Sequence, residues 1–183
     1  MIIGIAGTIG SGKGAVVEYL KQKGFAHYSG SGQLRELLEA RGETIDRDAY
    51  SRIATEIREH DPIGLAKLLR ERMERDNPGN AIMEALHTAG EAEFVRSIGG
   101  HILGIDADIP IRYARITKRG SEKDSISFEK FVEQSKREDE GALETAAHNI
   151  RAALNVADAI IMNNGTLEEL HAQIDDVLEK LTK

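Results

Sequence analysis

Met1-Ile-Ile-Gly-Ile-Ala-Gly-Thr-Ile-Gly-Ser-Gly-Lys-Gly-Ala15 is the stretch on which the fold turns. Residues 2–6 form a short apolar run rich in β-branched side chains and bounded by glycine, as in a strand buried on both faces. From Gly7 to Lys13 the spacing is G-x-x-x-x-G-K, and the amphipathic pattern from Ala15 to Lys23 predicts a helix. Strand, glycine loop and helix in that order are the setting of a phosphate-binding loop. A triphosphate needs several inward-pointing backbone N–H groups on a chain that wraps closely around it. Gly7, Gly10 and Gly12 permit the angles and the approach that a Cβ would obstruct. The start of the following helix adds the positive end of its dipole, and Lys13 supplies a point charge for the β- and γ-phosphates. The expected phosphate contacts are Gly7, Thr8, Ile9, Gly10, Ser11, Gly12, Lys13, Gly14 and Ala15.

One position departs from the common form of this loop. The residue after the lysine is ordinarily Ser or Thr, whose hydroxyl binds Mg²⁺; here it is Gly14, and Ala15 follows. Lys13-Gly14 resembles the G-K-G loop of adenylate kinases and their relatives, in which a Thr usually comes next. The resemblance points to nucleotide kinases and away from GTPases and most motor ATPases. A Mg²⁺ ion would have to be held by phosphates, water and some other side chain.

Composition narrows the setting. A chain of 183 residues is one domain with length enough for a core, and 40% hydrophobic with 30% charged residues is ordinary for a globular protein. With 31 acidic against 24 basic residues the net charge is −7, which argues against non-specific binding to nucleic acid or anionic membranes. There is no cysteine, so disulfides, thiolate metal sites and cysteine nucleophiles are excluded. The N-terminal apolar run is short and has no basic residues before it, unlike a signal peptide, and no run approaches the roughly 18 apolar residues of a membrane span. A cytoplasmic protein, a monomer or small homo-oligomer, is the expectation.

Along the chain, strands are predicted at residues 25–28, 80–84, 101–106 and 158–162, with helices between them. Residues 29–32 read as a loop, followed by a helix from Gln33 to Arg41. Asp46 can cap a helix to about His60, and Asp61-Pro62 has the form of an N-cap with proline at the first helical position. Thr88 with Glu91, and Thr166 with Glu169, have capping-box spacing. A helix follows Asp108, another starts at Phe128, and more helix follows Gly141 up to about Asn155. Five strands alternating with helices predict an α/β fold: three layers around a five-stranded parallel sheet, with ligands beyond the carboxyl ends of the strands.

With these elements placed, the chain resembles the nucleoside-monophosphate-kinase superfamily of P-loop proteins, adenylate kinase and dephospho-coenzyme A kinase being its familiar members. The end of the chain from Ala157 to Leu170 is particularly similar to the end of dephospho-coenzyme A kinases. The resemblance implies a core at about residues 1–29, 78–118 and 142–183, a helical acceptor-binding insertion at about 30–77 and a lid at about 119–141. Ser29-Gly-Ser-Gly-Gln-Leu-Arg35 lies where adenylate kinases hold the acceptor phosphate, so Ser31 and Arg35 are implied acceptor residues. An exposed Arg35 paired with Glu39 is the alternative. Glu84 stands at the end of the third strand, where the family usually has Asp; it is implied to act on the acceptor or to bind Mg²⁺ through water, against a plain solvent-satisfied carboxylate. His87 takes the place of an arginine that grips the acceptor. Arg115, Arg119 and Arg137 match the lid arginines that neutralise the transferring phosphoryl group, against a solvated basic face. Asn163, Asn164 and Gly165 form the turn that packs near adenine in relatives, and also make a good turn on their own.

The expected activity is ATP-dependent phosphoryl transfer, with ATP and Mg²⁺, to a small nucleotide or coenzyme precursor. The alternative is an ATP-binding regulatory protein or slow NTPase switch that keeps the fold without efficient transfer.

Overall fold

The computed structural model describes residues 1–119, 126–140 and 149–181. In chain order the elements are β1 (Ile2–Gly7), α1 (Lys13–Gln22), β2 (Ala26–Ser29), α2 (Gly30–Arg41), α3 (Arg47–His60), α4 (Gly64–Asp76), β3 (Ala81–Leu86), α5 (Ala89–Ser97), β4 (His101–Asp106), α6 (Ile109–Arg119), α7 (Phe128–Glu140), α8 (Ile150–Asn155), β5 (Ala159–Met162) and α9 (Leu167–Leu181). A minor part of the expected lid, residues 120–125 and 141, and the start of the helix after Gly141, at 141–148, lie outside the described residues.

The five strands make one sheet in the order β2-β3-β1-β4-β5, and every pairing is parallel. Parallel neighbours need a crossover, and the helices that provide it cover both faces. Ile3 and Ile5 of β1 pack with Val16, Val17 and Leu20 of α1 and Leu170 and Ile174 of α9. Ala6, on the opposite face, belongs to a core with Ala92 and Val95 of α5, Ala153 and Leu154 of α8, and apolar residues of α2, α3 and α4. This is the three-layer α/β architecture predicted above.

Helix starts follow local capping chemistry, with two departures. Both capping boxes form: Thr88 Oγ1 accepts from Glu91 N at 3.2 Å, and Thr166 Oγ1 accepts from Glu169 N at 3.2 Å. Asp46 caps α3 by accepting from Ala49 N at 2.8 Å. The segment read as a loop at 29–32 is already helix, because Ser29 is extended and its hydroxyl oxygen accepts from Gly32 N at 3.0 Å. Asp61 does not open α4. It ends α3, and its carboxylate accepts from Ile63 N at 3.1 Å while its carbonyl accepts from Gly64 N at 2.8 Å, a turn that delays the helix to Gly64.

The third strand also runs further than its sequence pattern implies. Ile5 pairs with Glu84 but Ala6 pairs with Leu86, so β3 carries one extra residue beside the loop after β1. A bulge there bends the strand next to the carboxyl ends where ligands collect. Glu84 therefore sits inside the strand, at the bulge, and not at its end.

Candidate functional site

The loop between β1 and α1 is held open by its own backbone and braced from behind. Gly10 and Gly12 have φ of 78° and 98°. A Cβ on Gly10 would come within 2.6 Å of the Arg112 carbonyl oxygen, and one on Gly12 within 2.3 Å of Asn163 Nδ2. These two glycines are thus required both by conformation and by close approach. Arg112 Nε donates to the Ile9 carbonyl at 2.8 Å, and Asn163 Nδ2 donates to the Ser11 carbonyl at 2.7 Å. Arg115 donates to the Ser11 carbonyl and to Asn163 Oδ1, each at 3.3 Å. Thr8 donates its hydroxyl to Asp106 at 2.7 Å and Ser11 donates its own to the Thr8 carbonyl at 2.9 Å, both side chains being buried.

The first turn of α1 has no side-chain cap and no acidic residue, whereas α2, α3, α5 and α8 are each capped by a side chain. An uncapped helix start at the mouth of such a loop suits an anion. Lys13 Nζ lies over the loop, donating to the carbonyls of Gly7 at 2.7 Å and Thr8 at 3.0 Å.

Two cavities meet at this lysine. One, of about 360 Å³, is lined by Gly10, Gly12, Lys13, Gly14, Glu84, Arg115 and Arg119. The other, of about 400 Å³, runs between β3 and the helices after β2; its polar lining includes Lys13, Ser31, Ser51, Arg58, Glu84 and His87. Its apolar lining includes Leu34, Tyr50, Ala54, Leu65 and Leu86. Lys13 and Glu84 belong to both. Glu84 Oε2 lies 2.8 Å from His27 Nε2, and this hydrogen bond, with the charge of Lys13 adding to it, holds the carboxyl below the usual range in spite of partial burial.

Of the residues singled out from sequence, the structure gathers Gly10, Gly12, Lys13, Gly14, Glu84, Arg115 and Arg119 on the first cavity and Ser31 and His87 on the second. Arg35 is not brought in: its side chain is exposed and donates to Glu39 at 3.0 Å, the helix-surface alternative. Asn163 acts through a buried side chain beneath the loop, and Asn164 Oδ1 accepts from Asp108 N at 2.9 Å. Gly165 abuts the Glu169 carboxylate of the second capping box. That turn supports the loop; none of its three residues lines either cavity. Arg137 falls in α7, and its side chain lies outside the described residues.

Four participants were missed. Arg58 is buried and lines the second cavity, His27 partners Glu84, and Asp106 and Arg112 brace the loop. Arg58 follows the apolar stripe Ala49, Ile53, Ala54 and Ile57 of α3, and nothing in that pattern marks an arginine for burial. Arg112 carried a signal, since it belongs to the run of basic residues after β4.

Among the described residues, no group of three or more His, Cys, Asp or Glu side chains is arranged to hold a metal ion, and no helix is long and apolar enough to cross a membrane. A family model described as an AAA domain matches residues 3–141. Over 99% of its length the chain is 27% identical to a UPF0200 protein of Pyrococcus horikoshii, of which it covers 97%. It is 28% identical over 98% of its length to a UPF0200 protein of Sulfurisphaera tokodaii, again covering 97%. Among solved structures, TT1252 from Thermus thermophilus matches with a TM-score of 0.65 and 22% identity, covering 100% of this chain and 98% of that one. Shikimate kinase from Aquifex aeolicus matches with a TM-score of 0.60 and 15% identity, covering 98% and 97%. At these identities the structural likeness speaks for the fold.

Proposed function

Since this chain belongs to the AAA domain family of P-loop NTPases, we propose that it is an ATP-dependent phosphotransferase acting on a small acceptor, a nucleotide or coenzyme precursor such as a nucleoside monophosphate or dephospho-coenzyme A. The observation that carries this reading is the shared border of the two cavities at Lys13 and Glu84. A nucleotide on the loop and an acceptor between β3 and the helical insertion would face each other across that border. Transfer needs donor and acceptor held in line with charge neutralised around the moving group. Lys13 leaves its carbonyl partners to bind the phosphates, Arg115 and Arg119 flank the same cavity, and an ionised Glu84 is placed to orient the acceptor or take its proton. Leu34, Ala54, Leu65 and Leu86 give the acceptor cavity an apolar lining, which favours transfer over hydrolysis once water is displaced.

Glu84 also fits an indirect Mg²⁺ contact, since it is ionised and stands at the border. Bound Mg²⁺ would offset phosphate charge. With the Thr8 and Ser11 hydroxyls engaged and no hydroxyl at Gly14 or Ala15, the protein share of its coordination is small.

The test is ADP release from ATP·Mg²⁺ against a panel of nucleoside monophosphates, deoxynucleotides and dephospho-coenzyme A. Acceptor-dependent release is expected, falling by roughly 10²–10³-fold or more in Lys13→Ala with the fold retained. Full activity in that variant would sink the assignment. The absent hydroxyls favour a second reading, a slow nucleotide switch, and acceptor-independent release would select it.

A further inference from the structure

Asn163 is 4% exposed and stands just past the end of β5, where its backbone N–H donates to the Asp106 carbonyl at 2.8 Å. It lines neither cavity, yet its side chain reaches the phosphate loop from behind. Nδ2 donates to the Ser11 carbonyl at 2.7 Å, and Oδ1 accepts from Arg115 Nη2 at 3.3 Å. A flipped amide would set oxygen against oxygen and N–H against N–H, so both contacts need this one orientation. In a trans peptide a carbonyl and the following N–H point to opposite sides. With the Ser11 carbonyl drawn back onto Asn163, the Gly12 N–H is turned the other way, and Gly12 lines the nucleotide cavity. Neither the Gly10 nor the Gly12 N–H has an acceptor among the described residues. An aimed donor left without a partner is what a phosphate oxygen needs.

We propose that Asn163 is a positioning residue for the nucleotide: it aims the Gly12 N–H at a phosphate oxygen and holds Arg115 against the loop until that phosphate arrives. This rests on reading the loop as the ATP site. Asn163 suits the first task because the sheet carries it, so the donor is set before the ligand binds and little ordering remains to be done. Arg115 is held more loosely. Its contacts with the Ser11 carbonyl and Asn163 Oδ1 are both 3.3 Å long and both to neutral acceptors. A phosphate oxygen offers the same guanidinium a shorter, charge-assisted bond. Arg115 therefore moves to the phosphate, while the bond from Asn163 to Ser11 stays. The aimed N–H sets nucleotide affinity, and the release of Arg115 sets the transfer step.

The experiment titrates ¹⁵N-labelled full-length protein with the non-hydrolysable analogue AMP-PNP·Mg²⁺. It follows the Gly12 amide, the Asn163 side-chain amide and the Arg115 Nε–Hε signal. In the wild-type protein the Gly12 and Arg115 signals are expected to shift saturably, and the Asn163 amide protons to stay protected from solvent before and after binding. A Gly12 amide indifferent to nucleotide, or Asn163 amide protons that exchange as fast as exposed ones, overturns the proposal with no variant needed. Two variants of similar size then separate positioning from packing. Asn163→Leu removes both contacts and is expected to raise the AMP-PNP Kd and the KM for ATP about tenfold, with kcat within about twofold. Asn163→Asp sets a carboxylate oxygen against the Ser11 carbonyl and holds Arg115 by charge, so KM rises and kcat falls about tenfold as well. Wild-type affinity in both variants, or an equal loss of kcat in the two, overturns the assignment. Wild-type protein that gives these shifts but transfers no phosphoryl group to any acceptor upholds Asn163 and removes the phosphotransferase reading. Acceptor-dependent transfer with both variants binding AMP-PNP normally does the reverse.

Discussion

At the scale of single residues, the site depends on where charges are held, and Glu84 is the clearest case. Its carboxyl is kept below the ordinary carboxylate range chiefly by the hydrogen bond to His27, against the opposing effect of burial. A depressed carboxylate contributes stability that is present above its unfolded-state pKa and is lost as pH falls through the folded value. The same ionisation is needed for Glu84 to orient or deprotonate an acceptor. Replacing His27 by Phe removes the hydrogen-bonding partner and leaves only Lys13 to oppose burial, so the Glu84 pKa should rise. The acid limb of the kcat/KM profile should then move to higher pH, with the alkaline side unchanged. An acid limb that stays in place would mean that Glu84 does not govern it. Residue chemistry was partly legible in the sequence. The loop glycines and Lys13 announce themselves by spacing, and Glu84 by its place in a strand. His27 carried no mark of its partnership, because it comes from the strand on the far side of β3 and only the sheet register brings Ser29 level with Glu84. Arg35 went the other way: a guanidinium at a helix start suits a phosphate, but a Glu four residues on supplied a nearer partner.

At the scale of elements, α1 shows how a ligand requirement can override helix chemistry. Helices α2, α3, α5, α7, α8 and α9 begin with a side-chain cap, while α1 begins Gly12-Lys13-Gly14 with none. Gly12 is fixed by its positive φ and by Asn163, but a Cβ at Gly14 would meet nothing within 4 Å. Gly14 therefore costs helix stability without a steric reason in the protein. Gly14→Ala should raise stability to urea by about 0.5–1 kcal/mol. Gly14→Ser places a hydroxyl where loops of this kind commonly bind the metal, and it should increase the dependence of ATP affinity on Mg²⁺. Destabilisation by alanine would instead show that the backbone at Gly14 needs glycine. Elements were the most legible level, since periodicity and capping are local. The misplaced helix starts share one cause: an Asp or Ser side chain can cap a helix or close a turn, and only tertiary packing chooses between them for Ser29 and Asp61.

At the scale of the molecule, strand order was not written in any local pattern. Period and composition identify five strands, but β3 lies between β1 and β2 because crossovers must cover both faces, a property of the assembled sheet. Arg112 shows what that assembly makes possible. Its buried guanidinium donates to the Ile9 carbonyl of the phosphate loop and, at 3.0 Å, to Ser135 of α7, and lies 5.5 Å from the ring of Phe131 on the same helix. Asp106, 3.9 Å away, accepts from Thr8 of the loop and lies 3.4 Å from Arg151 of α8. Loop, β4, α6 and α7 thus converge on one cation, and α8 joins them through Asp106. A buried arginine with such partners, when truncated, leaves a carbonyl and a hydroxyl short of their donor and the Asp106 carboxylate short of a neighbouring charge, at a cost on the order of 3 kcal/mol. Arg112→Met should lower stability by that amount and, because the partners lie on different elements, release them together. Amide exchange in residues 128–140 and in the loop at 8–11 should accelerate in parallel, and AMP-PNP should restore protection to both. Faster exchange in α7 with an unchanged loop would show that Arg112 only fills space, and that nucleotide binding is not communicated from the loop to α7 through it.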